Sequence, residues 1–191
     1  MHKNFKTGLI LVVALLALPA AAMAATLDLG TVTVGPRLTF AVDDDADEGQ
    51  VFVGAQARFH LNQTIALETS LDYSRKTYDW YWGDTDVTMF PLQVAVMGYF
   101  LPDSAPVRPY ALGGVGWYYT RIDGPLDNDT DSRLGVHAGL GCEFKLNNSM
   151  AIDMAYRYVA REDIESRDLT WIEKDYDDDG SMLSVGFMFK F

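Results

Sequence analysis

The chain has 191 residues, 49% apolar and 13% aromatic, and its 27 acidic side chains outweigh 15 basic ones for a net charge of −12. That negative excess argues against a nucleic-acid partner and against capture of bare anionic phosphates. A single cysteine, Cys142, excludes an internal disulfide framework.

In chain order, residues 1–25 read first as a cleaved secretory signal peptide. Lys3 and Lys6 form a positive start, Gly8 to Leu18 an apolar stretch, and Ala22-Met23-Ala24 a small-x-small cleavage site. The apolar stretch is shorter than the about 20 residues a spanning helix needs. Residues 26–191 are then one domain. Without Lys3 and Lys6 it carries 13 basic and 27 acidic side chains, a net of −14.

From residue 30 onward the pattern has period two. Segments near 30–42, 51–60, 64–75, 87–100, 108–121, 133–146, 149–161 and 181–191 each alternate between an apolar and a more polar face. In the third, Ile65, Leu67, Thr69, Leu71 and Tyr73 oppose Ala66, Glu68, Ser70 and Asp72. In the seventh, Ile152, Met154, Tyr156 and Tyr158 oppose Asp153, Arg157 and Arg161. Strands of soluble proteins average about five or six residues, whereas strands tilted across a bilayer need roughly 9–11; the lengths here favour a membrane. Short links at 61–63, 101–107 and 147–148 alternate with longer ones at 43–50, 76–86, 122–132 and 162–180, as in outer-membrane barrels with short inner turns and long outer loops.

The sequence therefore predicts an all-β fold, an eight-stranded antiparallel up-and-down transmembrane β-barrel. Hydrocarbon leaves no backbone edge unpaired, so the sheet must close. A soluble sandwich or lipocalin-like barrel is the alternative, but the second face here carries charges and glycines, which suit a narrow polar interior. Aromatic residues mark both interfaces: Phe40, Tyr73, Phe90, Trp117 and Tyr119 on the loop side, Phe59, Phe100, Phe144 and Phe191 on the turn side. In the fifth segment both parities are apolar, and Trp117 is taken as outward.

By parity, the lumen receives Arg37, Arg58, Glu68, Asp72, Arg133, Glu143, Lys145, Asp153, Arg157, Arg161 and Lys190. Charges in so confined a space must pair. The outer loops hold 21 of the 27 acids, and three of them repeat the spacing D-x-D-x-D, at Asp43/Asp45/Asp47, Asp127/Asp129/Asp131 and Asp175/Asp177/Asp179. Asp175, Asp177, Asp179 and Gly180 match the opening of an EF-hand loop, but its twelfth position is Gly186, not Glu, so only a looser, weak Ca²⁺ or Mg²⁺ site at these loops is expected. No other cofactor is expected. Tyr78, Trp80, Tyr81 and Trp82 crowd the second loop and suit headgroup anchoring or surface contact. Of the mature histidines, His60 stands at a strand end and His137 faces inward. Neither belongs to a G-x-S-x-G or H-x-S motif.

The last segment ends Phe187-Met188-Phe189-Lys190-Phe191. It resembles the C-terminal signal of bacterial outer-membrane proteins, in which Phe187, Phe189 and Phe191 would be read by the barrel-assembly machinery. Residues 108–119 and 134–159 resemble segments of the small OmpA-like, OmpW-like and opacity-type barrels. The resemblance implies a barrel-only member located in the outer membrane of a Gram-negative cell. Its implied partners are outer-membrane lipid and lipopolysaccharide, with the protein a monomer and no nucleic acid bound. The expected function is non-enzymatic: an envelope-integrity or surface-contact role. A small porin-like channel is the alternative, and a lipid A-modifying enzyme, for which the family offers precedent, is the second.

Overall fold

The computed structural model describes residues 31–43, 49–80, 83–124, 128–161 and 179–191. The expected signal peptide lies outside them. Eight strands follow in order: β1 (Val32–Asp43), β2 (Gln50–His60), β3 (Ile65–Trp80), β4 (Gly83–Tyr99), β5 (Val107–Asp123), β6 (Asn128–Lys145), β7 (Met150–Arg161) and β8 (Gly180–Lys190). Each pairs antiparallel with its neighbour in sequence, and β8 returns to β1, closing the barrel. Two of the short turns are set by asparagine. The Asn62 Oδ1 accepts the backbone N–H groups of Thr64 and Ile65, each at 2.8 Å, and the Asn147 Oδ1 accepts that of Ser149 at 2.8 Å.

The distribution of side chains is inverted relative to a soluble protein. Leu38, Val51, Val96, Val115, Leu134, Val136 and Leu140 are all more than half exposed, whereas Arg58, Arg108 and Arg157 are among the largest fully buried side chains. In water this would be doubly unfavourable; in hydrocarbon it is the expected arrangement. On the outer surface of β3 to β5 the loop-side aromatics touch: Tyr73 and Phe90 lie 5.1 Å apart between ring centroids, Phe90 and Tyr119 6.3 Å, and Trp117 and Tyr119 6.5 Å. In β5, Trp117 faces outward and Tyr118 inward, 49% and 7% exposed.

Two of the expected loops are corrected. Residues 76–86 and 122–132 mostly continue the sheet: β3 and β4 stay paired as far as Trp80↔Gly83, and β5 and β6 as far as Asp123↔Asn128. The hairpins are joined as well, because β4 and β5 pair up to Asp86↔Asp123. Strands β3 to β6 have 16, 17, 17 and 18 residues, against 12, 11, 12 and 11 in β1, β2, β7 and β8. One side of the wall thus rises above the other. Beyond the bilayer both faces meet water, so the apolar alternation fades, while backbone pairing needs no apolar face and carries on.

Candidate functional site

The inner wall is where the fold concentrates chemistry. Among the described residues, eight charged side chains are buried there: Arg37, Arg58, Arg108 and Arg157 against Glu68, Asp72, Glu143 and Asp153, four of each sign. Strand register sets the starting pairs. Arg58 on β2 stands opposite Glu68 on β3, and Arg108 on β5 opposite Glu143 on β6. Glu143 also stands opposite Asp153 on β7, two like charges side by side, an arrangement that destabilises a sheet on its own.

Arg58 resolves that conflict by reaching across the lumen. Its Nη1 and Nη2 donate to both oxygens of Asp153 at 2.9 and 2.6 Å, its Nε donates to Glu68 at 2.7 Å, and its Nη1 lies 3.4 Å from Glu143. The Tyr110 hydroxyl adds a bond to Asp153 at 2.9 Å, and the Tyr99 hydroxyl one to Glu143 at 3.2 Å. Arg157 joins Glu68 and donates to the Gln93 Oε1 at 2.7 Å. Gln93 in turn accepts from Arg37 at 3.2 Å and donates to the Tyr118 hydroxyl at 2.8 Å. Arg37 closes the set on Asp72 through two bonds, that from Nε at 2.9 Å.

Glycine makes two of these contacts possible. Arg37 and Asp72 both stand opposite Gly54 on the intervening strand, so their ion pair passes over it. A Cβ at Gly54 would lie 2.1 Å from the Asp72 Oδ1. Gly141 leaves space in the same way for the Tyr110 ring, whose nearest atoms would be 2.3 Å from an added Cβ.

A cavity of about 480 Å³ opens at the turn side and one of about 220 Å³ at the loop side. Arg58, Glu68, Gln93, Asp153 and Arg157 line neither; they form the layer between them. The remaining residues expected in the lumen sit at the mouths. Arg133 and Arg161 are half-buried at the loop side, where the Arg133 Nε bonds Asp131 at 2.6 Å and the Arg161 guanidinium lies 5.1 Å from the Tyr118 ring centre. Lys145 and Lys190 stand at the turn side on either side of Asp103, their Nζ atoms 2.7 and 3.1 Å from its carboxylate. Arg108 is 3.2 Å from the same carboxylate. Partial burial pushes the Asp103 carboxyl up, but the hydrogen bonds and charges of Lys145 and Lys190 outweigh it and hold it down at about 2.

Parity reasoning missed Arg108, Gln93, Tyr99, Tyr110 and Tyr118. Arg108 shares its even parity with Tyr110, Leu112 and Tyr118, a signal present in the sequence but placed at the first residue of the predicted segment 108–121. The uncharged members carry no charge to draw the eye.

Other candidates are not gathered into a site. Of the acidic triplet proposed for a cation, Asp175 and Asp177 lie outside the described residues, and Asp179 accepts the Tyr158 hydroxyl at 2.8 Å. Asp45, Asp47 and Asp127 lie outside as well, while Asp129 and Asp131 belong to β6. No group of three His, Cys, Asp or Glu among the described residues is arranged to hold a metal ion. His137 is 4% exposed, and among the described residues neither ring nitrogen has a hydrogen-bond partner. Cys142 is a partly exposed free thiol.

A family description, "outer membrane protein beta-barrel domain", matches residues 10–191. The chain belongs to this family. It is a protein of the bacterial outer membrane, crossing it with eight strands. No curated protein matches its sequence. Among solved structures it is similar to the Neisserial surface protein A, at 14% identity with a TM-score of 0.62, covering 84% of this chain and 96% of that one. It is also similar to Ail, the attachment invasion locus protein of Yersinia pestis, solved with the heparin analogue sucrose octasulfate, at 16% identity, TM-score 0.57, and coverage of 84% and 97%. OprG from Pseudomonas aeruginosa gives 16% identity, a TM-score of 0.56 and coverage of 85% and 96%. At these identities the likeness concerns the fold.

Proposed function

We propose that this chain is a non-enzymatic, non-conducting outer-membrane barrel that supports the envelope and presents a contact surface outside the cell. One observation carries the reading. The lumen is crossed by a buried layer of three arginines, Arg37, Arg58 and Arg157, and three carboxylates, Glu68, Asp72 and Asp153, balanced in sign and lying between two separate mouths. An eight-stranded barrel encloses an interior that side chains fill, and an ion could pass only by breaking the buried ion pairs of this layer. Planar-bilayer recording on the refolded protein tests this. The expected record is a flat baseline; stable, reproducible conductance steps would establish the porin-like alternative instead. A mass change in lipid A on expression would establish the enzymatic one.

The taller side of the wall, β3 to β6, supports the contact role, since it lifts two joined hairpins clear of the shorter strands. The partner chemistry of Ail does not transfer to it. The outer loop segments of this chain hold 21 of its 27 acids, which would repel a polysulfated ligand. We further read Phe187, Phe189 and Phe191 as the strand end that the barrel-assembly machinery engages, lipopolysaccharide as the lipid neighbour, and the protein as a monomer. A deletion strain is expected to become more sensitive to detergent and to divalent chelators.

A further inference from the structure

We propose that the turn-side mouth is a binding site for small carboxylate anions, and that Asp103 occupies it as a tethered stand-in. Three cations from three different strands converge on this one carboxylate: Arg108 from β5, Lys145 from β6 and Lys190 from β8. β8 and the β4–β5 turn lie on opposite sides of the eight-stranded ring, so the turn leans across the opening to bring Asp103 there. Asp103 is not part of the ladder, and its side chain is 44% exposed.

The chemistry around it is that of an anion receptor. Glu143, the other acid at this mouth, is already engaged by Arg58, by Tyr99 and, at 3.4 Å, by Arg108 itself. With Asp103 swung away, three positive groups would face a cavity of about 480 Å³ with a single engaged carboxylate among them. That volume falls in the range of about 300–1,000 Å³ typical of small-ligand sites. Arg108 is held in place on three sides, by Tyr99, Gln63 and Glu143. Its guanidinium lies 3.9 Å over the Tyr99 ring, and its Nη2 donates to the Gln63 carbonyl at 2.7 Å. Its Nη1 is the atom turned toward the Asp103 carboxylate, at 3.2 Å, so a charged donor faces the opening within a fixed frame. A positive mouth in a chain of strongly negative net charge concentrates anions locally on one side of the membrane only.

An anion must displace Asp103 to enter, so the wild-type protein binds weakly and loss of the Asp103 charge strengthens binding. The test is an amide NMR titration of the refolded full-length barrel in micelles, with succinate as the free anion. A dipeptide with a free C-terminus, compared with its amidated form, represents a chain terminus. Asp103→Asn is expected to lower the midpoint about tenfold relative to wild type, with saturable shifts around Gln63, Lys145 and Ser149. Adding Lys145→Gln and Lys190→Gln is expected to reverse the gain. Asp103→Ser serves the same purpose should the asparagine variant not refold. The proposal is overturned if neither probe gives saturable shifts in the Asp103 variant, if its midpoint equals that of wild type, or if the shifts survive loss of both lysines. A response to the peptide acid but not to succinate or the amide would assign the site to chain termini; the reverse would assign it to free dicarboxylates. The result is independent of whether the lumen conducts.

Discussion

Replacing Arg58 by methionine removes the hub of the buried layer, and the structure says which partner suffers. Glu68 keeps Arg157, and Glu143 keeps Arg108 at 3.4 Å and Tyr99 at 3.2 Å. Asp153 loses both guanidinium bonds and retains only the Tyr110 hydroxyl. One carboxylate, 1% exposed, is therefore left without a counter-charge. Breaking one side of a buried ion pair costs about 3–5 kcal/mol, so Arg58→Met is expected to lose that much stability rather than three times as much. Urea unfolding in lipid vesicles, followed by tryptophan fluorescence, measures it. The decisive comparison is Arg58→Met with Asp153→Asn. With the stranded charge neutralised, the double variant should be at least about 2 kcal/mol more stable than the sum of the single losses implies. Losses that add to within about 0.5 kcal/mol would refute the account of Arg58 as the partner of Asp153.

Three further outcomes are expected. Gly54→Ala drives a methyl group against Asp72 and should cost about 1–3 kcal/mol, whereas Gly98→Ala, with nothing within 4 Å, should change urea stability by less than about 0.5 kcal/mol. Asp103 has a depressed pKa when folded, so its ion pairs contribute fully above its ordinary value of 3.8 and lose their effect as pH falls toward about 2; the stability gap between wild type and Asp103→Asn should hold at neutral pH and close across that window. Phe191 is 76% exposed, so Phe191→Ala should leave the refolded barrel's urea midpoint nearly unchanged while lowering the amount assembled in cells, measured by heat-modifiable migration of outer-membrane fractions.

The eight strands were legible because lipid on one side and a polar lumen on the other impose a period of two over every crossing. That same signal assigns a face to each residue but no partner. It places Arg58 and Asp153 inside, yet not against each other, because they are 95 residues apart in sequence and meet only across the closed lumen. The pairing of Arg37 with Asp72 depends on the absence of a side chain at Gly54, which no count of charges reveals. Where the strands leave the bilayer, at 76–80, 83–86, 122–123 and 128–132, the alternation between an apolar and a polar face fades, and the sequence there reads as loop although the ladder continues. Asp103 lies in a turn, where parity has no meaning, so its convergence with Lys145 and Lys190 had no sequence signature.

The charges on the inner wall also bear on how the chain reaches its membrane. An outer-membrane protein must first pass through the inner one, where a sufficiently apolar segment would be retained as a helix. Here the mean hydropathy is only −0.02, although the finished barrel is coated with exposed leucine, valine and aromatic side chains. Every second residue of each strand dilutes that coat. A segment such as β7 would carry Asp153 and Arg157 into a helix, each at a cost of about 2.5–3.5 kcal/mol near its centre. The side chains that lock the closed barrel are thus the ones that let the unfolded chain slip past the first membrane without stopping in it.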